Sequence, residues 1–371
     1  MKRFSLQTRI YSGNGSLSVL QRFHQRKIWI VCDGFLATSP LLTNLTQTLP
    51  ADNQIDLFSD ITPDPTIATV VKGIAQMHAL QPDVVIGFGG GSALDAAKAI
   101  VWFSRRQDIG IDTCIAIPTT SGTGSEVTSA CVIGDPEKGI KYPLFDNQIY
   151  PDIAILDPSL ALSVPPDITA NTGMDVLTHA LEAYVSPHAS DFTDALAEKA
   201  LQLVFRHLPT ACSNGDCVIT RGKMHNASTL AGMAFSQAGL GLNHAIAHQL
   251  GGQFHIAHGL ANALLLAPVL RFNAQDERAR KRYARLSRLC RFSPAKGDDR
   301  GAVNQLIHQI EQLKRQCGLP RPLAALKVTQ SQLLARIPDM IPAAQADVTL
   351  RTNPREASAG DIRRVIEALC D

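Results

Sequence analysis

Four histidines, His244, His248, His255 and His258, fall within the stretch Gly241 to Asn262, among residues that are apolar, small or uncharged. Neutral imidazole is a frequent metal ligand, and His244 and His248 stand four apart. In a helix both rings then project from one face, one turn apart, and can share one ion. Upstream, Asp175 and His179 repeat the spacing within Thr172-Gly173-Met174-Asp175-Val176-Leu177-Thr178-His179-Ala180-Leu181-Glu182. A carboxylate oxygen with imidazole nitrogens suits a divalent transition metal better than magnesium or calcium, which take all-oxygen shells. The same residue types also suit hydrogen-bonded core histidines. Two such pairs in one apolar region favour the metal reading.

A second kind of chemistry is suggested by glycine. Gly87-Phe88-Gly89-Gly90-Gly91-Ser92 follows an apolar strand pattern and opens a helical one over Ala93 to Phe103. Glycines there let the backbone approach a pyrophosphate, and free N–H groups and the helix dipole favour its charge. Ser92 also suits a helix cap. The segment Pro118-Thr119-Thr120-Ser121-Gly122-Thr123-Gly124-Ser125-Glu126 follows another strand pattern; it reads either as a capped loop or as hydroxyls and N–H groups for a ribose or phosphate. A competing stretch, Gly13-Asn14-Gly15, has Ser18 where a third fingerprint glycine would stand, which fits a turn or helix cap better. Asp33, ending its strand pattern, suits a ribose diol and repels a 2′-phosphate, favouring NAD over NADP.

The elements that must carry these groups alternate up to about Pro165. Strand patterns over Lys27 to Cys32, Ile55 to Phe58, Asp83 to Phe88, Thr113 to Ile117 and Ile153 to Leu156 enclose helical periodicity over Thr66 to Leu80 and Ser92 to Phe103. That alternation predicts a parallel sheet with helices on its faces. Beyond Pro165-Pro166 the strand signals stop and the chain reads as helix broken by Gly and Pro. Two domains are therefore expected: residues 1–165 as an α/β, Rossmann-like dinucleotide-binding domain, and residues 166–371 as an all-α metal-binding and catalytic domain. The length of 371 residues accommodates both. A hydrophobic fraction of 45%, a charged fraction of 18% and a net charge of +2 give no charge-driven case for nucleic acid or a membrane surface. The apolar run from Gly259 to Leu270 is shorter than the roughly 20 residues that a bilayer span needs, and Met1 to Leu20 lacks the apolar core of a signal peptide. The 8 scattered cysteines, without CxxC spacing, fit the reduced thiols of a cytoplasmic protein.

With those residues assembled, the chain resembles the iron-containing (group III) alcohol dehydrogenases along nearly its whole length. The matching motifs are Gly89-Gly90-Gly91-Ser92-Ala93-Leu94-Asp95, then Pro118 to Thr128, then Gly173 to Glu182, then the histidine stretch. The resemblance implies that Asp175, His179, His244 and His258 hold the metal, with His248 beside it and not normally a ligand. It implies cofactor contacts at Asp33, Gly89, Gly90, Gly91, Ser92, Asp95, Thr119, Thr120, Thr123, Thr128, Lys141 and Leu160. Where the family commonly has Pro-Asn-Pro near the adenosine this chain has Pro63-Asp64-Pro65, and where it commonly has Pro-His-Gly this chain has Ala257-His258-Gly259. The first departure bears on Asp64 as an adenine-side contact, the second on the turn before the last ligand. Iron is implied by the resemblance alone, since an Asp with three His also binds zinc.

The expected reaction is reversible hydride transfer between NAD(H) and a short primary alcohol or aldehyde in a cleft between the domains, with His248 or His255 as the proton relay. Similarity to the branch of the family found in 1,2-propanediol-degrading bacterial microcompartments implies reduction of propionaldehyde with NAD⁺ regeneration. It also implies a cytoplasmic location inside a microcompartment, with the shell or other pathway enzymes as partners. A homodimer is expected. Three rivals stay open: a polyol dehydrogenase or lactaldehyde reductase of the same family, a non-redox NAD-using synthase such as the related dehydroquinate synthases, and a non-enzymatic scaffold.

Overall fold

A computed structural model describes residues 4–137 and 140–370, with the side chains of residues 140 and 141 outside the description. The first part of the chain runs β1 (Arg9–Ser12), β2 (Lys27–Asp33), α1 (Gly34–Ala37), α2 (Pro40–Thr48), β3 (Gln54–Ile61), α3 (Ile67–Leu80), β4 (Val84–Gly89), α4 (Gly91–Arg105), β5 (Thr113–Pro118), β6 (Ala130–Asp135), β7 (Ile140–Phe145) and β8 (Ile153–Leu156). Six strands form one sheet in the order β1-β8-β5-β4-β2-β3, every neighbouring pair parallel. The predicted parallel sheet is thus present. Its central strands bury both faces: Ile28 and Ile30 join Val84, Ile86 and Phe88 on one side, while Trp29 and Val31 join Val85 on the other, under α3 and α4. Strands covered on both faces read as continuous apolar runs, which is why they stand out in the sequence.

Three strands did not stand out. β1 is a four-residue edge strand whose side chains are mostly exposed, so no apolar run marks it. β6 and β7 form a separate antiparallel hairpin off the main sheet. Its inward residues, Cys131 and Ile133, alternate with exposed Val132, a period-two signal of only one or two repeats.

The remainder is helical among the described residues: α5 (Pro166–Val185), α6 (Asp191–Ser213), α7 (Val218–Ala238), α8 (Leu242–Phe254), α9 (His258–Asn273), α10 (Glu277–Leu289), α11 (Asp299–Gln316), α12 (Pro322–Leu326), α13 (Gln330–Ala346) and α14 (Ala359–Glu367). α5 opens with Pro166 in its first turn, where the missing N–H costs nothing, and stops at Val185, ahead of the Ser186-Pro187 pair that disfavours further helix. α8 and α9 pack on α13 and α14 around Leu250, Leu265, Ile337 and Ile362. The chain divides into two compact units, one of residues 5–164 with 216–232, the other of residues 165–215 and 233–370 with Phe4. No helix among the described residues is long and apolar enough to cross a membrane.

Candidate metal centre and nucleotide cradle

Asp175, His179 and Glu182 follow one another at i, i+4 and i+7 on α5, so one buried face of that helix presents a carboxylate, an imidazole and a second carboxylate. His244 comes from the first turn of α8, and His258 opens α9 after the short connection from His255 to Ala257. Asp175 Oδ1 lies 3.8 Å from His179 Nε2, 3.7 Å from His244 Nε2 and 3.6 Å from His258 Nε2. One donor atom from each of the four residues falls within 4.8 Å of every other. Ligand bonds of about 2.0–2.2 Å in tetrahedral array separate donors by roughly 3.3–3.6 Å, so the four donors, slightly wider apart than that, could draw in on one divalent ion.

The imidazoles are turned toward that point by specific neighbours. His244 Nδ1 donates to Glu182 Oε2 at 2.5 Å, which leaves the Nε2 lone pair facing inward. Glu182 Oε1 in turn accepts from the backbone N–H of Asn243 at 2.7 Å, so the same carboxylate anchors the start of α8. Gly241 makes this approach feasible, because a Cβ there would lie 2.7 Å from Asn353 Oδ1 and 3.0 Å from Glu182 Oε1. His179 Nδ1 is buried without a hydrogen-bond partner; its ring is instead held by stacking, 4.5 Å from Phe235 and 4.8 Å from His244. Gly259 lets α9 approach α5, since a Cβ at that position would meet Asn171 O at 2.2 Å. The turn before His258 is therefore fixed by backbone packing although proline is replaced by Ala257.

Asn262, one turn after His258 on α9, places Nδ2 2.7 Å from Asp175 Oδ1, 3.1 Å from His244 Nε2 and 3.2 Å from His258 Nε2. Asn243 fixes that orientation by donating Nδ2 to Asn262 Oδ1 at 2.9 Å. Burial alone would raise the Asp175 carboxyl, but the three imidazoles and the Asn262 amide outweigh it and hold it below the usual range. Burial, followed by the neighbouring imidazoles, holds His244 far below its ordinary value, in the neutral form that a metal ligand needs. Burial also pushes Glu182 up to about 7 against the N–H donors of α8.

His248 is outside the four-donor set. Its Nδ1 meets Asp347 Oδ2 at 2.7 Å, and its ring stacks on His258 with centroids 5.4 Å apart. Burial of Asp347 is outweighed by that bond, and its carboxyl lies below the usual range. His255 is exposed and caps the C-terminus of α8 in the left-handed conformation, φ 52°. Sequence reasoning passed over Glu182, Asn262, Asn243 and Asp347. Glu182 carried a usable signal, because it continues the face marked by Asp175 and His179.

In the sheet unit, Asp33, Gly89, Gly90 and Thr119 meet at the C-terminal ends of β2, β4 and β5. Asp33 Oδ1 caps α1 by accepting from Leu36 N at 2.8 Å, and its Oδ2 lies 3.7 Å from where a Gly89 Cβ would stand. Gly89 has φ +146°, and its Cβ would meet Ala93 Cβ at 2.8 Å. Gly90 caps α4 with no side chain bonded there, which leaves the helix start open to an anion. A Cβ on Gly91 would lie 2.6 Å from Thr123 Cγ2, and one on Gly90 would lie 3.5 Å from Thr120 Oγ1. Ser92 Oγ accepts from Asp64 N at 3.3 Å, so the hydroxyl steadies the Pro63-Asp64-Pro65 turn. Asp95 is engaged internally, accepting from Ser125 Oγ at 2.5 Å and Val132 N at 2.9 Å. Thr128 is buried with its hydroxyl on Lys98, and Leu160 lies in the core beside the sheet. The side chain of Lys141 lies outside the described residues. Gly13 and Gly15 form the left-handed turn between β1 and the 3₁₀ turn Ser16–Arg22.

Comparison with known proteins adds two family matches: an iron-containing alcohol dehydrogenase model over residues 7–158 and an Fe-containing alcohol dehydrogenase C-terminal model over residues 169–370. The 1-propanol dehydrogenase PduQ of Salmonella typhimurium is 73% identical over 369 residues, with 100% of both chains covered. Among solved structures, a 1,3-propanediol oxidoreductase matches with TM-score 0.93 at 31% identity, covering 100% of each chain. The sulfoacetaldehyde reductase of Bifidobacterium kashiwanohense in complex with NAD⁺ matches with TM-score 0.88 at 28% identity, covering 100% of this chain and 99% of the other.

Proposed function

The chain belongs to the iron-containing alcohol dehydrogenase family, and from that membership we propose that it reduces propionaldehyde to 1-propanol with NADH, reversibly, at the Asp175, His179, His244 and His258 centre. The observation that carries this reading is the convergence of one carboxylate and three imidazoles from α5, α8 and α9. When bound, a divalent metal supplies Lewis acidity that stabilises negative charge on the substrate oxygen, while the nicotinamide supplies or accepts the hydride. Iron follows from the family, and zinc is the alternative that the same donors accept.

The protein's own part is to aim three imidazoles at one point and to keep His244 neutral. Glu182 holds the His244 tautomer, Phe235 and His244 hold the plane of His179, and Asn262 fixes Asp175. His248, backed by Asp347 and stacked on His258, is assigned the proton relay between substrate oxygen and solvent. His255 is the second candidate for that step. Nucleotide binding is assigned to Asp33, the cradle Gly89 to Ser92, and Thr119, Thr120 and Thr123; the family resemblance extends it to Asp95, Thr128, Lys141 and Leu160, of which Asp95, Thr128 and Leu160 support the cradle from within the fold. An uncapped α4 N-terminus between two glycines and two threonines supports the pyrophosphate position.

The 73% identity to a 1-propanol dehydrogenase over the full chain supports propionaldehyde as the substrate and a microcompartment for propanediol degradation as the location. There, regenerated NAD⁺ would serve an aldehyde-oxidising neighbour, and the shell or pathway enzymes would be partners to a homodimer. Anaerobically purified protein should oxidise NADH with propionaldehyde, lose that activity on chelation and regain it with ferrous iron. Full activity after verified metal removal would overturn the metal assignment. Turnover of glycerol with NAD⁺ exceeding that of 1-propanol would move the substrate to the polyols.

A further inference from the structure

Lys98 is 2% exposed, although lysine is almost never buried without partners. Its Nζ lies 2.8 Å from Ser125 O, 2.9 Å from Ser125 Oγ, 3.0 Å from Thr128 Oγ1 and 2.5 Å from Ala130 O. All four acceptors belong to the segment that follows β5. Asp95, one turn before Lys98 on α4 and 3.8 Å from its Nζ, is the neighbouring countercharge. Asp95 reaches the same region through Ser125 Oγ and Val132 N. The three donors of the ammonium are therefore fully engaged, and the carbonyls of Ser125 and Ala130 turn inward to meet them.

The consequence lies one and two turns up the same helix. α4 begins at Gly91, against which Thr123 packs so closely that no Cβ fits. On its far side the segment rests on α7, where Gly124, at φ +63°, leaves only 2.7 Å between its Cβ position and Gly232 Cα. Glycine contacts limit how near the segment can come, but they do not pull it inward. The polar attachment to α4 is made by Lys98 and Asp95.

We propose that Lys98 is a positioning residue for the dinucleotide: its ammonium holds residues 121–130 against α4 and so keeps Thr120 and Thr123 beside the glycine cradle. The inference rests on the assignment of that cradle to the cofactor. Replacing the ammonium by an apolar stem leaves the carbonyls of Ser125 and Ala130 with only the long bonds from Thr128, at 3.3–3.4 Å, so the segment relaxes outward and the cradle widens.

The test uses full-length, metal-loaded Lys98→Met. Its Kd for NADH, read by fluorescence titration, and its KM for NADH should each rise about tenfold or more, with the propionaldehyde KM and the kcat at saturating NADH nearly unchanged. A folded variant that binds NADH like the parent overturns the inference, and so does a loss confined to kcat, which is the signature of a smaller active fraction. Should Lys98→Met fail to accumulate, Ser125→Ala removes the hydroxyl shared by Lys98 and Asp95. An unchanged NADH Kd in that variant likewise overturns the inference, and a rise of about threefold supports it. Gly91→Val separates the two levels, because its side chain occupies the Thr123 contact directly. Parental NADH binding in Gly91→Val removes the cradle assignment and this inference with it. Weak binding there beside parental binding in Lys98→Met removes the role of Lys98 alone.

Discussion

Glu182 and Asn262 touch the candidate ligands without belonging to the four, and they divide the work of aiming them. Glu182 is joined to His244 by a 2.5 Å bond and to the start of α8 through Asn243. Glu182→Gln keeps the shape but weakens the acceptor for Nδ1, so metal affinity should fall by about 10- to 100-fold in a chelator competition. His258→Ala, in the same assay, should lose the ion outright, because the most exposed of the four donors is removed with little cost to the core. Parental affinity in Glu182→Gln would reduce that carboxylate to an anchor for α8. Of the four donors that converge, Asp175 and His179 share a four-residue spacing, whereas the spacing paired His244 with His248, and His258 was implied by the family resemblance alone. Their supports were not legible, since Glu182 meets His244 across 62 residues and His248 meets Asp347 across 99. No local pattern encodes such partners.

Helices α5, α8 and α9 bring the donors together, and glycines set how close they come. Gly259→Ala places a Cβ 2.2 Å from Asn171 O, a rigid backbone atom, so α9 must shift away from α5 and carry His258 with it. The variant should be destabilised by about 2–3 kcal/mol and should retain less metal after dialysis. A variant that keeps both its denaturation midpoint and its metal would show that α9 accommodates the methyl. At this scale the sequence was most readable where strands are buried on both faces, as in β2, β4, β5 and β8. It was least readable at the edge strand β1 and in the β6–β7 hairpin, where exposure or short length removes the apolar signal. Gly259 itself was visible only as a family residue. Its cause, the carbonyl of Asn171, belongs to another helix.

For the molecule as a whole, acid stability follows from groups that the fold keeps neutral. His225, on α7 within the sheet unit, is buried, and burial pushes its pKa down to about 4 while Nδ1 meets Ser121 Oγ at 3.0 Å. Unfolded imidazole titrates near 6.5, so between about pH 6.5 and 4 the unfolded chain binds the extra proton and the native state does not. Stability is therefore lost as pH falls through that window, by about 3 kcal/mol at its lower end. Urea midpoints of the parent and His225→Gln should converge on acidification, and a constant gap from pH 7 to 4 would contradict the assignment. The two compact units part near residue 164, and the membership of residues 216–232 in the sheet unit has no compositional mark. The positions of the metal donors along the chain have one more effect. Drawn from α5 and from the α8–α9 pair, they would make a bound ion a cross-link that closes a loop of more than 60 residues, as the 62-residue separation of Glu182 and His244 indicates. Such closure acts on the unfolded ensemble as a disulfide does, with a gain that grows only logarithmically with loop length. In a chain whose 8 cysteines are all free, that staple is fastened by metal supply and is indifferent to thiol chemistry.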